Sequence, residues 1–278
     1  MPKQSLRQNF AGVITGASSG IGKALAVELA EKYKAKLILN ARSQVALSET
    51  ANLVRQSGGQ CEIVVGDLAD SQVAIEVVQK CLEKFGSIDL LVNNAGLSKT
   101  GSTFALTPED WRKVFAVNFF APLESIYQAV PYMIKNGSGK IVNISSVAGK
   151  IAIPGSVCYA ASKFALTGMS EGIAAELASK NIDVITVCPG WVRSDFFEKN
   201  KFMEDHNPTK IAKENNWQGW LMRNVLSISN ESCARSIITS LEAGGSHEIV
   251  LTIPGVVAVG INTFMPGLLG KLAAKVKT

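Results

Sequence analysis

Histidine is almost missing from this chain: His206 and His247 are the only two in 278 residues, far apart and with no cysteine beside them. Metals that bind imidazole and thiolate need several such ligands converging, so a metal site is not expected. The five cysteines, Cys61, Cys81, Cys158, Cys188 and Cys233, form no CxxC pair, and their number is odd. That is the pattern of a reduced, intracellular chain in which cysteine acts as a small apolar residue. There is no run of five like charges and no arginine-rich arm, and the net charge is only +5. Nucleic acid is therefore not an expected partner, and a mild preference for anionic ligands is the most this charge supports. The opening MPKQSLRQNF has no apolar stretch followed by a small-residue cleavage site. No secretory leader is expected, and the cytoplasm is the expected location.

What is present is apolar substance: 47% of the residues are hydrophobic and 18% charged, a globular composition able to bury a core. Short runs dense in Val, Ile and Leu recur at 11–15, 36–41, 61–66, 88–94, 140–145, 182–188 and 248–253. Segments of helical length lie between most of them, such as GKALAVELAEKY and SQVAIEVVQKCLEKF. Continuous apolar runs mark strands buried on both faces. Alternation of strand and helix implies an α/β fold, a single doubly wound parallel sheet of about seven strands with helices on both sides. No repeat or low-complexity linker divides the chain. One domain is expected over 1–253, followed by an apolar extension, 254–278.

The first strand runs into TGASSGIG, residues 15–22, where Gly16, Gly20 and Gly22 alternate with Ser18, Ser19 and Ile21. Glycine lets backbone approach a phosphate closely, and the helix that follows points free N–H groups at the negative charge. The alternative is a tight turn with glycine for packing. The position after the first strand of a βαβ unit favours a dinucleotide. The second strand ends LILNARS: neither Asn40 nor Ala41 is an acid that would hold a ribose 2′-hydroxyl, and Arg42 suits a 2′-phosphate. NADP(H) is thus expected ahead of NAD(H), unless Arg42 only caps the sheet edge. Farther along, YAASK puts Tyr159 and Lys163 four apart on an alanine-rich helix, on one face. A half-buried tyrosine beside a solvated lysine is the plainer reading of that pair.

Four more motifs join these: NNAG at 93–96, the asparagine of FAVNFF at 118, NISS at 143–146 and PGWVRSD at 189–195. In this order and spacing, residues 10–253 resemble the short-chain dehydrogenase/reductase family. The resemblance implies hydride transfer between a nicotinamide and a carbonyl or alcohol carbon, with Tyr159 as general acid/base. Lys163 would favour the phenolate and hold the nicotinamide ribose. Ser145 and Ser146 are hard to separate from the residues alone; the family spacing, thirteen before the tyrosine, selects Ser146 to hold the substrate oxygen. Asn118 would shape a helix kink and join a proton relay through water. Asp67, with its neighbour Leu68, would meet the adenine, although a helix N-cap role for Asp67 ahead of SQVAIEVV stays equally open. Asn93, Ala95 and Gly96 would line the adenosine ribose side, and Pro189, Gly190, Val192 and Ser194 would frame the nicotinamide. Ser194 keeps the hydroxyl that the family often takes from threonine. Family resemblance also implies a homodimer or homotetramer, through the long helices after the fourth and fifth strands.

Two stretches break the strand–helix rhythm. Residues 195–229 stand where the family carries its substrate loop, and Phe196, Phe197, Phe202, Trp217 and Trp220 could form an apolar wall there. An apolar ketone or secondary alcohol is the expected substrate. From Ile249 to Gly270 no residue is charged; Lys271, Lys275 and Lys277 follow. Prolines and glycines make this tail a poor spanning helix. Peripheral contact with a lipid surface through 254–278 competes with contact to a subunit or the substrate pocket. The rival functions are a non-catalytic NADP(H)-binding scaffold or sensor, and an epimerase or dehydratase of the same fold. The set Asn118, Ser146, Tyr159 and Lys163 argues against the first, and the short C-terminal part against the second.

Overall fold

Seven apolar runs become seven parallel strands. The structure, a computed structural model, describes residues 6–152, 154–194, 196, 216, 220 and 222–268. The strands are β1 (Ala11–Thr15), β2 (Lys36–Ala41), β3 (Gln60–Val65), β4 (Leu90–Asn93), β5 (Gly139–Ile144) and β6 (Ile182–Pro189). Next come the two short strands β7 (Trp191–Val192) and β8 (Ser227–Ile228), which pair with each other, and then β9 (His247–Leu251). The main sheet has the order β3-β2-β1-β4-β5-β6-β9. β1 and β5 are buried along their whole length, as continuous apolar runs require of central parallel strands.

The helices are α1 (Gly20–Tyr33), α2 (Gln44–Gln56), α3 (Ser71–Phe85), α4 (Pro108–Phe115), α5 (Ala121–Lys135), α6 (Val157–Leu177), α7 (Asn230–Ala243) and α8 (Ile253–Phe264). α1, α2 and α7 cover one face of the sheet through Leu25, Leu29, Leu47, Ile237 and Leu241. α3, α5 and α6 cover the other through Val77, Ile126, Met133 and Ile173. No helix among the described residues is long and apolar enough to cross a membrane.

Strand order reverses between β1 and β4, which opens a crevice beyond their carboxyl ends, where α/β sheets hold ligands. A chain of buried amides sets the height of α6 above this crevice. Asn93 Nδ2 donates to Asn143 Oδ1 at 2.8 Å, across paired positions of β4 and β5. Asn143 Nδ2 donates to Ser170 Oγ of α6, also at 2.8 Å. Such a network, fully satisfied, fixes one arrangement of the elements it joins.

Candidate active site

The glycine turn lies between β1 and α1. Gly16 and Gly20 have φ of 65° and 60°, a region that L side chains rarely adopt. Thr15 Oγ1 accepts from the backbone N–H groups of Asn94 and Ala95, at 3.0 and 3.1 Å, and so ties the loop after β4 to the end of β1. Asn94 Nδ2 donates to Thr15 O and Gly16 O, at 2.9 and 3.1 Å. A methyl group on Gly22 would come within 2.5 Å of that Nδ2 and 2.6 Å of Gly16 O, so packing alone demands glycine there. Gly20 is different: a methyl group on it would meet nothing closer than 3.7 Å. Ser19 makes no side-chain capping bond to α1, whereas Ser43, Asp70, Thr107 and Ser229 cap α2, α3, α4 and α7. A turn with open ground before it and no side-chain cap suits an anion such as a phosphate.

On the other side of the crevice, a π-helical turn (Ala116–Phe120) separates α4 from α5 and carries Asn118, and such turns often accompany function. Asn118 is wholly buried. Its Oδ1 accepts from Leu97 N, and its Nδ2 donates to Leu97 O, both at 2.8 Å. Nδ2 also donates to Ser162 Oγ at 2.9 Å, and that hydroxyl donates to Tyr159 O at 2.7 Å. The π-turn, the loop after β4 and the first turn of α6 are thereby clamped together. Lys163 lies with its Nζ 5.8 Å from the Tyr159 ring centroid and donates to Ile144 O at 2.8 Å. A side chain on Gly96 would point at this group, 3.8 Å from both Lys163 Nζ and Asn118 Oδ1.

The two serines divide as their strand positions require. Ser145 Oγ is buried against Thr167 Oγ1, at 2.7 Å, and is structural. Ser146, partly exposed, faces the Tyr159 phenol. Burial pushes the phenol up to about 12; a hydrogen bond from Ser146 pulls it down, and nearby Cys188 adds to the rise. Burial brings the Lys163 ammonium down to about 8. Desolvation thus outweighs any help the ammonium gives the phenolate. Cys158, wholly buried next to the tyrosine, has its thiol pushed up to about 11 by burial and is unreactive packing.

Several residues stand differently from their reading in the sequence. The Asn93 side chain is buried in the sheet, where its Nδ2 donates to Asn143 Oδ1, so any part in lining the ribose side falls to its backbone. Its neighbour Asn94 serves the glycine turn instead, and the doublet in NNAG was the signal for it. Asp67 is not the cap of α3; Asp70 accepts from Gln72 N at 3.0 Å, while Asp67 accepts from Ala69 N. Asp67 also lies 3.9 Å from Arg42, both of them exposed beyond the end of β2, and Leu68 beside it is buried. Asn40 is buried and donates to Val64 O. Gly190 leaves no room for a side chain, because Thr252 Oγ1 crowds it. Pro189 ends β6, and Val192 is buried in β7. Ser194 approaches the glycine turn, its Cβ 3.9 Å from where a Gly20 methyl would sit. Ala95 and Ile21 are partly exposed at the crevice, as is Ser18. Of the aromatic residues between 195 and 229, Phe196 reaches the site, 6.1 Å from Tyr159 between ring centroids. Trp220 is exposed; Phe197, Phe202 and Trp217 lie outside the described residues.

Comparison with known proteins gives the same picture. The family model for short chain dehydrogenases matches residues 11–205. An uncharacterized oxidoreductase of Thermotoga maritima is 42% identical over 209 residues, 74% of this chain and 82% of that protein. A 3-oxoacyl-acyl-carrier-protein reductase of the same organism is 39% identical over 187 residues, 67% of this chain and 76% of the relative. The crystal structure of a metagenomic short-chain oxidoreductase in complex with NADP superposes with a TM-score of 0.71 at 28% identity, covering 88% of this chain and 97% of that one. The chain belongs to the short chain dehydrogenase family and is an oxidoreductase acting on CH–OH and C=O groups.

Proposed function

We propose that the protein is an NADP(H)-dependent reductase or dehydrogenase of apolar ketones and secondary alcohols, with Tyr159 as its general acid/base. The observation that carries this reading is the meeting of Ser146, Tyr159, Lys163 and Asn118 across one crevice from a glycine turn without a side-chain cap. Gly16, Ser18, Ser19, Gly20, Ile21 and Gly22 would hold the pyrophosphate and Arg42 the 2′-phosphate. Asp67, Leu68, Ala95 and Gly96 would lie on the adenosine side. Pro189, Gly190, Val192 and Ser194 would lie on the nicotinamide side. The NADP in the similar crystal structure supports the choice of cofactor. When bound, that group supplies or takes the hydride.

The chain's own residues do the rest. Ser146 donates to the carbonyl oxygen and fixes its distance from the phenol. Tyr159, protonated at neutral pH, gives its proton to that oxygen in reduction and takes one in oxidation. Lys163 balances the negative charge left on the phenol. Phe196, beside the tyrosine, supports an apolar wall, and 195–229 would be the substrate loop of a catalytic unit spanning 1–253. The 3-oxoacyl reductase relative acts on a ketone in an acyl chain, which suits that wall. A homodimer or homotetramer is supported by Phe120 at the end of the π-turn, Tyr127, Tyr132 and Ile134 on α5 and Phe164 on α6, all exposed.

The test follows nicotinamide absorbance with NADPH and NADH against apolar ketones, steroids and a 3-oxoacyl thioester. Tyr159→Phe should keep NADPH affinity and lose about 10²–10⁴-fold in turnover; turnover near wild type would refute the assignment. Arg42→Ala should weaken NADPH by roughly tenfold or more and leave NADH unchanged. Tight NADPH binding with no turnover on any substrate would favour a scaffold.

A further inference from the structure

Helix α8 is turned inside out. Ile253, Val256, Val257 and Phe264 are 68%, 54%, 54% and 87% exposed. At spacings of three, four and eleven residues they share one stripe, with Gly260 between them. The opposite face is the anchored one. Gly255 is buried against Val147, and Asn262 Nδ2 donates to Lys150 O at 3.1 Å. A surface helix ordinarily turns its polar side outward; this one sends its asparagine inward, shows water its largest apolar groups and carries no charge. Met265, 55% exposed, extends the patch.

We propose that this stripe docks the protein on an anionic lipid surface. The charge of the following chain selects that occupant. No acidic residue occurs between Ile249 and Thr278, and Lys271, Lys275 and Lys277, outside the described residues, come directly after the apolar segment. Lysines beside an apolar stripe are drawn to anionic headgroups. A second copy meeting the same stripe would bring like charges together. Docking would also put the crevice at the lipid boundary, since Val147, against which Gly255 packs, directly follows Ser146. An apolar substrate dissolved in the bilayer could then enter without crossing water. That last step rests on the proposed substrate class; the docking itself does not.

The experiment is co-sedimentation of the full-length protein with phosphatidylcholine vesicles, with and without phosphatidylglycerol. Binding is expected with phosphatidylglycerol, weakening at high salt. The variant V256S/V257S/F264S should bind at least about tenfold more weakly, and K271E/K275E/K277E should lose the preference for anionic lipid. Both should keep the melting temperature and the turnover of a water-soluble ketone, so that loss of docking is not confused with loss of the enzyme. Failure of the wild type to sediment with anionic vesicles overturns the proposal. So does a fall in oligomer mass by light scattering in V256S/V257S/F264S with vesicle binding intact, which would assign the stripe to a second copy.

Discussion

Replacing Asn143 by alanine should strand a partner inside the sheet. Asn143 is fully buried, accepts from Asn93 and donates to Ser170. Without it the buried Asn93 amide loses its acceptor, which costs about 1–3 kcal/mol. The vacated volume adds roughly 1 kcal/mol. Asn93→Ala should cost about 1–3 kcal/mol, because it leaves Asn143 Oδ1 without its donor. The double substitution strands nothing between β4 and β5. It should therefore cost less than the sum of the single ones, by about 1–2 kcal/mol. Urea unfolding measures all three, and in thermal unfolding each kcal/mol appears as about 2–4 °C. A second readout separates structure from ligand: Asn93→Ala should leave the NADPH dissociation constant within about twofold, because its amide is turned into the sheet. Asn94→Ala, which removes the brace on Gly16 O, should weaken NADPH instead. Additive single costs would refute the coupling. Weaker NADPH binding by Asn93→Ala at unchanged stability would return Asn93 to the ribose pocket.

Gly22→Ala forces a methyl group onto Asn94 Nδ2 and Gly16 O; it should cost about 1–3 kcal/mol in urea unfolding and weaken NADPH through the distorted turn. For Lys163→Met the sign follows from burial, which lowers the folded-state pKa to about 8, below the usual lysine value. Below that pH the buried ammonium destabilises the fold, and the penalty fades as pH rises from about 8 toward the unfolded lysine pKa near 10.4. Without cofactor, Lys163→Met should thus be more stable than wild type at pH 7, by about 1–3 kcal/mol once the lost bond to Ile144 O is counted. A difference between the two proteins that does not change with pH in urea unfolding refutes this.

The sheet was legible because strands buried on both faces read as unbroken apolar runs, and most ladders end within a residue or two of those runs. β4 is the shortest of the seven, four residues against the seven apolar-looking ones at 88–94. Asp89 there is spent on holding β1: its Oδ2 accepts from Ala11 N at 2.8 Å. Two kinds of feature are not carried by the residue pattern. The π-turn at 116–120 lies inside FAVNFFAPLE, which has the pattern of an uninterrupted helix; the kink at Asn118 is implied by the family resemblance alone, and the Leu97 backbone, brought in by β4, gives Asn118 a reason to break the ladder. Choices between neighbours escaped as well. Asn93 or Asn94, and Asp67 or Asp70, differ by which way a strand end or a turn faces, which composition does not record. α8 was hidden by its prolines and glycines, yet Pro254 stands in the first turn, where its missing N–H costs nothing.

The proposed catalytic pair, Tyr159 and Lys163, would depend on a bound cofactor to work. Burial pushes Tyr159 up and Lys163 down, so each moves toward its neutral form. A phenol held at about 12 beside an ammonium that burial has brought to about 8 gives up its proton poorly, because a modest rise in pH removes the charge that would balance the phenolate. One donor of Lys163 is spent on Ile144 O; the others are left to the space before Gly96, which has no side chain to fill it. Hydroxyl groups or negative charge arriving in that space would solvate the ammonium and raise its pKa. The charged lysine would then draw the phenol down. On the proposed assignment, a ligand held at the glycine turn would offset the cost that burial puts on the Lys163 charge, and proton transfer at Tyr159 would be conditional on the occupant of the neighbouring site.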